Sequence, residues 1–137
     1  MKFLKRNCIF LSIVTLLFGC GTNQQNKTDK LQLTERYRVI ELFYQAYDKK
    51  DYKKMYEYLT PEMKKDISKQ IKSIPRAKLI SINKDNSQTW DGEYWINIDL
   101  EIETTQSSSL YPDTTWRLYL LTEKINNKWI ITNFTTG

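Results

Sequence analysis

Apolar residues in the first half of the chain recur every three or four positions, which is the spacing of one helix face. The first stretch predicts a helix from Leu31 to Asp48, with Asp29 as its N-cap and Gln32 at the capping-box position. The residues that share its apolar face are Val39, Leu42, Phe43 and Ala46. We therefore expect a long amphipathic helix with this face on the core.

Two shorter helices are predicted next. Asp51 is a good N-cap for the first, and Thr60-Pro61 starts the second, because Thr caps helices and Pro suits the first helical position. Their apolar faces consist of Tyr52, Met55 and Leu59, and of Met63, Ile67, Ile71 and Ile74. Pro75 ends the last helix.

After Pro75 the apolar spacing changes to two, which indicates strands. The clearest strand alternates polar residues with Tyr94, Ile96, Ile98, Leu100 and Ile102. Further strands are predicted at 77–84, 116–121 and 128–134, with a hairpin turn at Asn126-Asn127 and polar loops at 84–92 and 104–114. This order indicates an α+β fold, in which the N-terminal helices pack on a curved antiparallel sheet of about four strands.

The N-terminus departs from this pattern. Lys2, Lys5 and Arg6 precede an apolar run at 8–18, which is shorter than the roughly 20 residues that a membrane-spanning helix needs. Such a layout is typical of a secretory signal. The sequence that follows, Leu17-Phe18-Gly19-Cys20, resembles the lipobox of bacterial lipoproteins.

The lipobox resemblance implies cleavage between Gly19 and Cys20 and diacylglycerol on the Cys20 sulfur, an anchor that holds the chain on a membrane. We expect a signal peptide at 1–19, a flexible tether at 20–30 and a single domain at 31–137. The high Lys, Asn, Ile and Tyr content points to a Gram-positive organism, and hence to the outer face of the cytoplasmic membrane. An ordinary secretory signal and an uncleaved membrane anchor are the alternatives.

The composition excludes several kinds of chemistry. The chain has no histidine, and its two cysteines are Cys8, in the predicted signal, and Cys20. The mature domain would therefore have no disulfide, no thiolate metal site and no histidine-based catalytic group. Asp99, Glu101 and Glu103 share one side of a strand, but calcium needs roughly six to eight oxygen ligands from a wrapped loop. We expect no cofactor, no metal site and no catalytic residue.

Charge is divided unevenly along the chain. Residues 49–78 carry ten Lys or Arg against four acids, whereas residues 79–137 carry four against eight. Candidate contact residues in the basic part are Lys53, Lys54, Lys64 and Lys65. Anionic lipid or an anionic wall polymer would suit such a surface near a membrane, and a solvated helix face is the alternative. We expect no nucleic-acid partner, because no base-reading motif is present.

Trp95 is a second candidate contact residue. In the alternating pattern it shares the polar side of its strand with Asn97 and Asp99. An exposed aromatic side chain on an open sheet face often marks a contact surface. Alternatively, the 104–114 loop or neighbouring strands cover it.

The order of elements resembles the nuclear transport factor 2-like superfamily, which has a cone-shaped α+β (cystatin-like) fold. The segments that carry the resemblance are 42–52, 58–63 and 127–131. It implies a pocket between helices and sheet, for which Tyr44 and Tyr47 are candidate lining residues, and it is compatible with a homodimer formed through the sheet.

Members of this superfamily include enzymes, binding proteins and secretion components, so the fold does not determine the function. The isomerases and cyclases use an acidic base in the pocket, but the strand acids here lie on the side away from the helices. We therefore expect a non-catalytic domain that binds a protein partner or a small ligand. A component of a secretion or conjugative DNA-transfer complex and an isomerase- or cyclase-like enzyme are the alternatives.

Overall fold

The computed structural model describes residues 21–105 and 115–136. The predicted signal peptide, Gly19 and Cys20 lie outside the described residues, as does most of the predicted loop at 104–114. Three α-helices precede a sheet of five strands, and a short 3₁₀ turn at Lys84–Asn86 interrupts the strands. All pairings within the sheet are antiparallel.

The three helices are α1 (Gly21–Asp48), α2 (Tyr52–Tyr56) and α3 (Pro61–Gln70). The predicted start of α1 at Leu31 is wrong, because residues 21–30, predicted as a flexible tether, are helical. The side chains of residues 26–32 are exposed. Apolar spacing reveals only the buried part of a helix, so it could not indicate these first turns.

The predicted caps of the two short helices are confirmed. The Asp51 side chain accepts a hydrogen bond of 3.1 Å from the Lys54 backbone N–H, and the Thr60 hydroxyl accepts one of 3.3 Å from Met63. Pro61 is the first residue of α3. Each side chain satisfies an N–H group that has no partner within its helix.

The strands are β1 (Arg76–Ile82), β2 (Gln88–Trp90), β3 (Glu93–Glu103), β4 (Thr115–Ile125) and β5 (Lys128–Thr135). Their order is β1-β3-β4-β5, and β2 pairs with the beginning of β3. The prediction of a loop over 84–92 missed β2. Asp91 and Gly92 have φ angles of 50° and 81°, which suit a tight two-residue hairpin turn between β2 and β3.

The core lies between the helices and one face of the sheet, called the inner face here. Ile96, Ile98 and Leu100 of β3 are at most 1% exposed, and they belong to one apolar cluster with Ile40 of α1 and Met55 of α2. The α+β prediction is therefore confirmed: the helices cover one face of an open antiparallel sheet.

Arg36 joins α1 to the sheet where β4 is irregular. The strand register shifts between Leu121 and Thr122. The Arg36 guanidinium donates to the Thr122 hydroxyl at 2.7 Å, to the Thr122 carbonyl at 3.2 Å and to the Tyr94 carbonyl at 2.8 Å. It also lies over the rings of Tyr94 and Trp129. A bulge leaves backbone groups that need partners outside the strand pairing. Arg36 supplies these partners and thereby fixes α1 to β3 and β4.

Candidate functional site

The space between helices and sheet is nearly filled. Tyr44 and Tyr47, the candidate pocket residues, are 4% and 3% exposed. The cavity beside them has a volume of about 20 Å³. The described residues that line it are aromatic or aliphatic, except for Gln70. Such a volume is close to the minimum for one water molecule. A small organic ligand does not fit in it.

Both tyrosines are buried beside the cavity. The Tyr47 hydroxyl donates a hydrogen bond of 2.5 Å to the Ile74 carbonyl. This bond joins α1 to the segment that connects α3 with β1. Burial raises the pKa of Tyr44 and of Tyr47 above the ordinary tyrosine value, so both remain protonated. Among the described residues, no Asp or Glu lines the cavity.

Three acids of β3, Asp99, Glu101 and Glu103, lie on the opposite face, called the outer face, and are paired. Asp99 contacts Arg117 at 2.7 Å, Glu101 contacts Arg76 at 3.2 Å and Glu103 contacts Lys50 at 3.0 Å. Hydrogen bonds from Arg117 and then Asn83 lower the pKa of the Asp99 carboxyl. In the part of the chain that the structure describes, no group of three potential ligands is placed to hold a metal ion.

The candidate lysines are exposed on the two short helices. Lys53 and Lys54 belong to α2, and Lys64 and Lys65 belong to α3. Lys54 contacts Glu57 at 2.9 Å, which neutralises part of the surface. The other three have no ion pair among the described residues. The four lysines are therefore exposed, but nothing in their geometry selects a particular anion.

Trp95 is 8% exposed, so the alternative in which neighbouring strands cover it is the one observed. The ring of Trp90 lies 5.8 Å from that of Trp95 and 5.0 Å from that of Tyr119. The tight turn after Trp90 folds β2 back along β3, which brings the two tryptophans together. The predicted exposure of Trp95 on an open sheet is therefore wrong, and Trp90, which is 36% exposed, is the accessible ring.

Trp90 and Trp95 line an open cleft of about 530 Å³ together with Thr89, Asp91 and Glu93. We call these five residues the outer aromatic cleft. Trp90 and Glu93 are paired across the hairpin, so their side chains share the outer face with Trp95. We did not predict from the sequence that Trp90, Asp91 and Glu93 form a contact surface. The Asp91-Gly92 pair was the available signal, because Asp-Gly favours two-residue hairpins.

A polar network supports the cleft from the side. Asn97 is fully buried, and its side-chain carbonyl accepts a hydrogen bond of 2.9 Å from Asn83. Asn83 also donates to Asp99 at 2.8 Å, and the Ser87 hydroxyl accepts from the Asn97 backbone N–H at 3.0 Å. These bonds hold the segment that leads into β2 against β3. The position of Trp90 is thereby set by several contacts.

No known family model, curated protein or solved structure matches the chain. Within residues 21–105 and 115–136, none of the helices combines the length and apolar character needed to cross a membrane.

Proposed function

We propose that this protein is a lipoprotein held on the outer face of the cytoplasmic membrane through Cys20, and that its domain is a non-catalytic binding module of the nuclear transport factor 2-like type. Its binding surface is the outer aromatic cleft. The resemblance of residues 17–20 to a lipobox supports the anchor, and helices on one face of an antiparallel sheet are compatible with the fold family.

The observation that carries the binding proposal is the contrast between the two candidate sites. The inner cavity has about 20 Å³ and no acidic lining residue among those described, whereas the cleft on the outer face is open and contains an exposed tryptophan. Tryptophan is enriched among the residues that dominate binding energies at interfaces. The nearly filled cavity also argues against an isomerase- or cyclase-like enzyme.

The membrane anchor is tested by intact mass spectrometry of the protein purified from membranes. We expect a mass that corresponds to cleavage before Cys20 plus acyl chains, and we expect Cys20→Ser to abolish this modification. An unmodified mass in the wild-type protein would exclude the lipoprotein assignment without affecting the proposed binding surface.

The binding surface is tested by photo-crosslinking in cells with a benzoylphenylalanine placed at one position at a time. Gln88 reports on the cleft, because it is exposed and pairs with Trp95 on the outer face. Lys64 reports on the basic surface. Ile80 is the control, because it is 55% exposed on β1 outside the cleft. We expect a discrete crosslinked product from position 88 alone. A product from position 64 alone would move the contact to the basic surface.

A further inference from the structure

We infer that the outer aromatic cleft accepts the ammonium or guanidinium group of a lysine or arginine side chain, carried by an extended segment of a protein partner that pairs with the free edge of β2. This inference rests on the proposed function, because it specifies what the cleft binds. Three independent features of the described residues support it: unpaired acids, tryptophan rings without a cation over them and an open strand edge.

The acids of the cleft differ from the other acids of β3. Asp99, Glu101 and Glu103 each have an arginine or lysine partner. Asp91 and Glu93 are exposed, and neither forms an ion pair within the described part of the chain. The cleft therefore carries two acidic side chains that no described cation of the chain neutralises. Complementary charge in a partner accelerates encounter and selects among partners.

The aromatic rings of the cleft are also free of cations. Elsewhere the chain places its own cations over rings: Arg36 lies over Tyr94 and Trp129, and two lysines lie over Tyr58. In contrast, none of the described cations lies over Trp90 or Trp95. The two tryptophan rings are tilted by 53°, so they form a corner rather than a closed stack. Tryptophan is the aromatic residue that attracts cations most strongly.

Arg117 is a described cation on the same face of the sheet as the cleft. Its side chain lies on the outer face of β4 together with Tyr119, whose ring contacts that of Trp90. Its guanidinium, however, is engaged by both carboxylate oxygens of Asp99, at 2.7 and 3.3 Å. No cation of the described residues is therefore seen at the cleft, and we assign the one that would complete it to another molecule.

The edge of β2 favours a polypeptide over a free small cation. β2 pairs with β3, and no described strand pairs with its other edge. Trp90 and Glu93 flank a two-residue turn, where the flanking residues form a backbone hydrogen-bonded pair. Because such pairs alternate with non-hydrogen-bonded pairs, the backbone N–H and carbonyl of Thr89 point away from β3. An extended segment added there would place alternate side chains on the outer face beside Trp90.

The test is a titration of the full chain, purified in detergent, with pools of short peptides that have randomised flanking residues and one fixed central residue. The central residue is lysine, arginine, glutamine or glutamate, and choline chloride serves as the free small cation. Tryptophan fluorescence reports on binding, since Trp90 and Trp95 line the cleft. We expect lysine and arginine pools to bind at least about fivefold more tightly than glutamine pools, and glutamate pools to bind most weakly.

The matched variants are Asp91→Asn with Glu93→Gln, which remove charge with little change in shape. Asp85→Asn is their control, because Asp85 is an exposed acid in the 3₁₀ turn outside the cleft. We expect the double variant to abolish the preference for lysine over glutamine and the control to retain it. Circular dichroism of each variant separates lost binding from lost folding.

The other outcomes each overturn a defined part of the inference. Equal binding of glutamine and lysine pools would exclude the cation while leaving the cleft as the binding surface. Binding of choline as tight as that of the lysine pool would exclude the role of the strand edge. No binding by any pool would overturn the inference as a whole, whereas the proposed function would then depend on the crosslink at position 88.

Discussion

The two faces of the sheet are buried by different parts of the chain. The helices cover the inner face, where Ile96, Ile98 and Leu100 are at most 1% exposed. On the outer face, Asn97 and Trp95 are buried by the 3₁₀ segment, β2 and neighbouring strands, and the cover is incomplete at Trp90. The inner face therefore supplies stability, and the outer face retains an accessible surface. Substitutions on the two faces should separate these roles.

The largest effect is expected for Ile98→Ala, at the centre of the inner face. Ile98 is fully buried, and removing such a side chain costs about 2–5 kcal/mol in the free energy of unfolding, because transfer and cavity terms add. Ile80→Ala is the control, since Ile80 is 55% exposed. Urea denaturation of both variants measures the difference. A similar loss in both would contradict the assignment of the core to the inner face.

Arg36→Met should have the next largest effect. The variant keeps much of the apolar length of the side chain but removes all donors, so the Tyr94 and Thr122 carbonyls lose their hydrogen bonds from α1. Leaving buried acceptors unsatisfied costs about 1–3 kcal/mol. Thermal or urea unfolding measures this cost, with Arg38→Met as the control because Arg38 is exposed and contacts only Glu41 among the described residues. Equal stability of the two variants would mean that Arg36 does not hold the helix on the sheet.

Trp90→Ala should change the outer face more than it changes stability. We expect a loss of about 1 kcal/mol in the free energy of unfolding, because the ring is partly exposed already. The emission maximum of Trp95 should shift to the red as water reaches its ring. Fluorescence of the variant, compared with Trp129→Phe as the matched loss of one indole, measures the shift. An unshifted spectrum would show that Trp95 is covered by something other than Trp90.

The smallest effect concerns the pH dependence contributed by Asp99. Its pKa is lowered in the folded state by Arg117, so its contribution is present above the unfolded carboxyl pKa of about 3.9 and is lost as the pH falls through the folded value. Because Arg117 is 60% exposed, we expect less than about 1 kcal/mol. Urea denaturation of wild type and Asp99→Asn should differ near neutral pH and converge below about pH 4. A constant difference across that range would contradict this coupling.

The helices and the inner face of the sheet could be predicted from the sequence because the spacing of apolar residues indicates each of them. Ile67 belongs to a series of apolar residues at helix spacing in α3, and Ile98 belongs to a series at strand spacing in β3. Thr60-Pro61 caps α3 where the sequence predicts it. The beginning of α1 could not be predicted, since the exposed polar side chains of residues 26–30 carry no periodic signal.

The cleft could not be predicted because it depends on a contact between strands. β2 has three residues, none of them buried, so apolar alternation cannot reveal it. The burial of Trp95 follows from the hairpin that brings Trp90 over it, which is a tertiary effect of the turn at Asp91-Gly92. The sequence indicated the importance of this region through Trp95, but it selected the buried ring instead of the exposed one.

Hydroxyl-radical footprinting of the purified protein and of intact cells tests whether the outer aromatic cleft is the binding surface. Ile125 is the internal reference, because its exposure of 38% is close to the 36% of Trp90. We expect Trp90 to be modified in the purified protein and protected in cells, with Ile125 modified in both samples and Trp95 in neither. Equal modification of Trp90 in the two samples would contradict the assignment of the outer aromatic cleft as the binding surface.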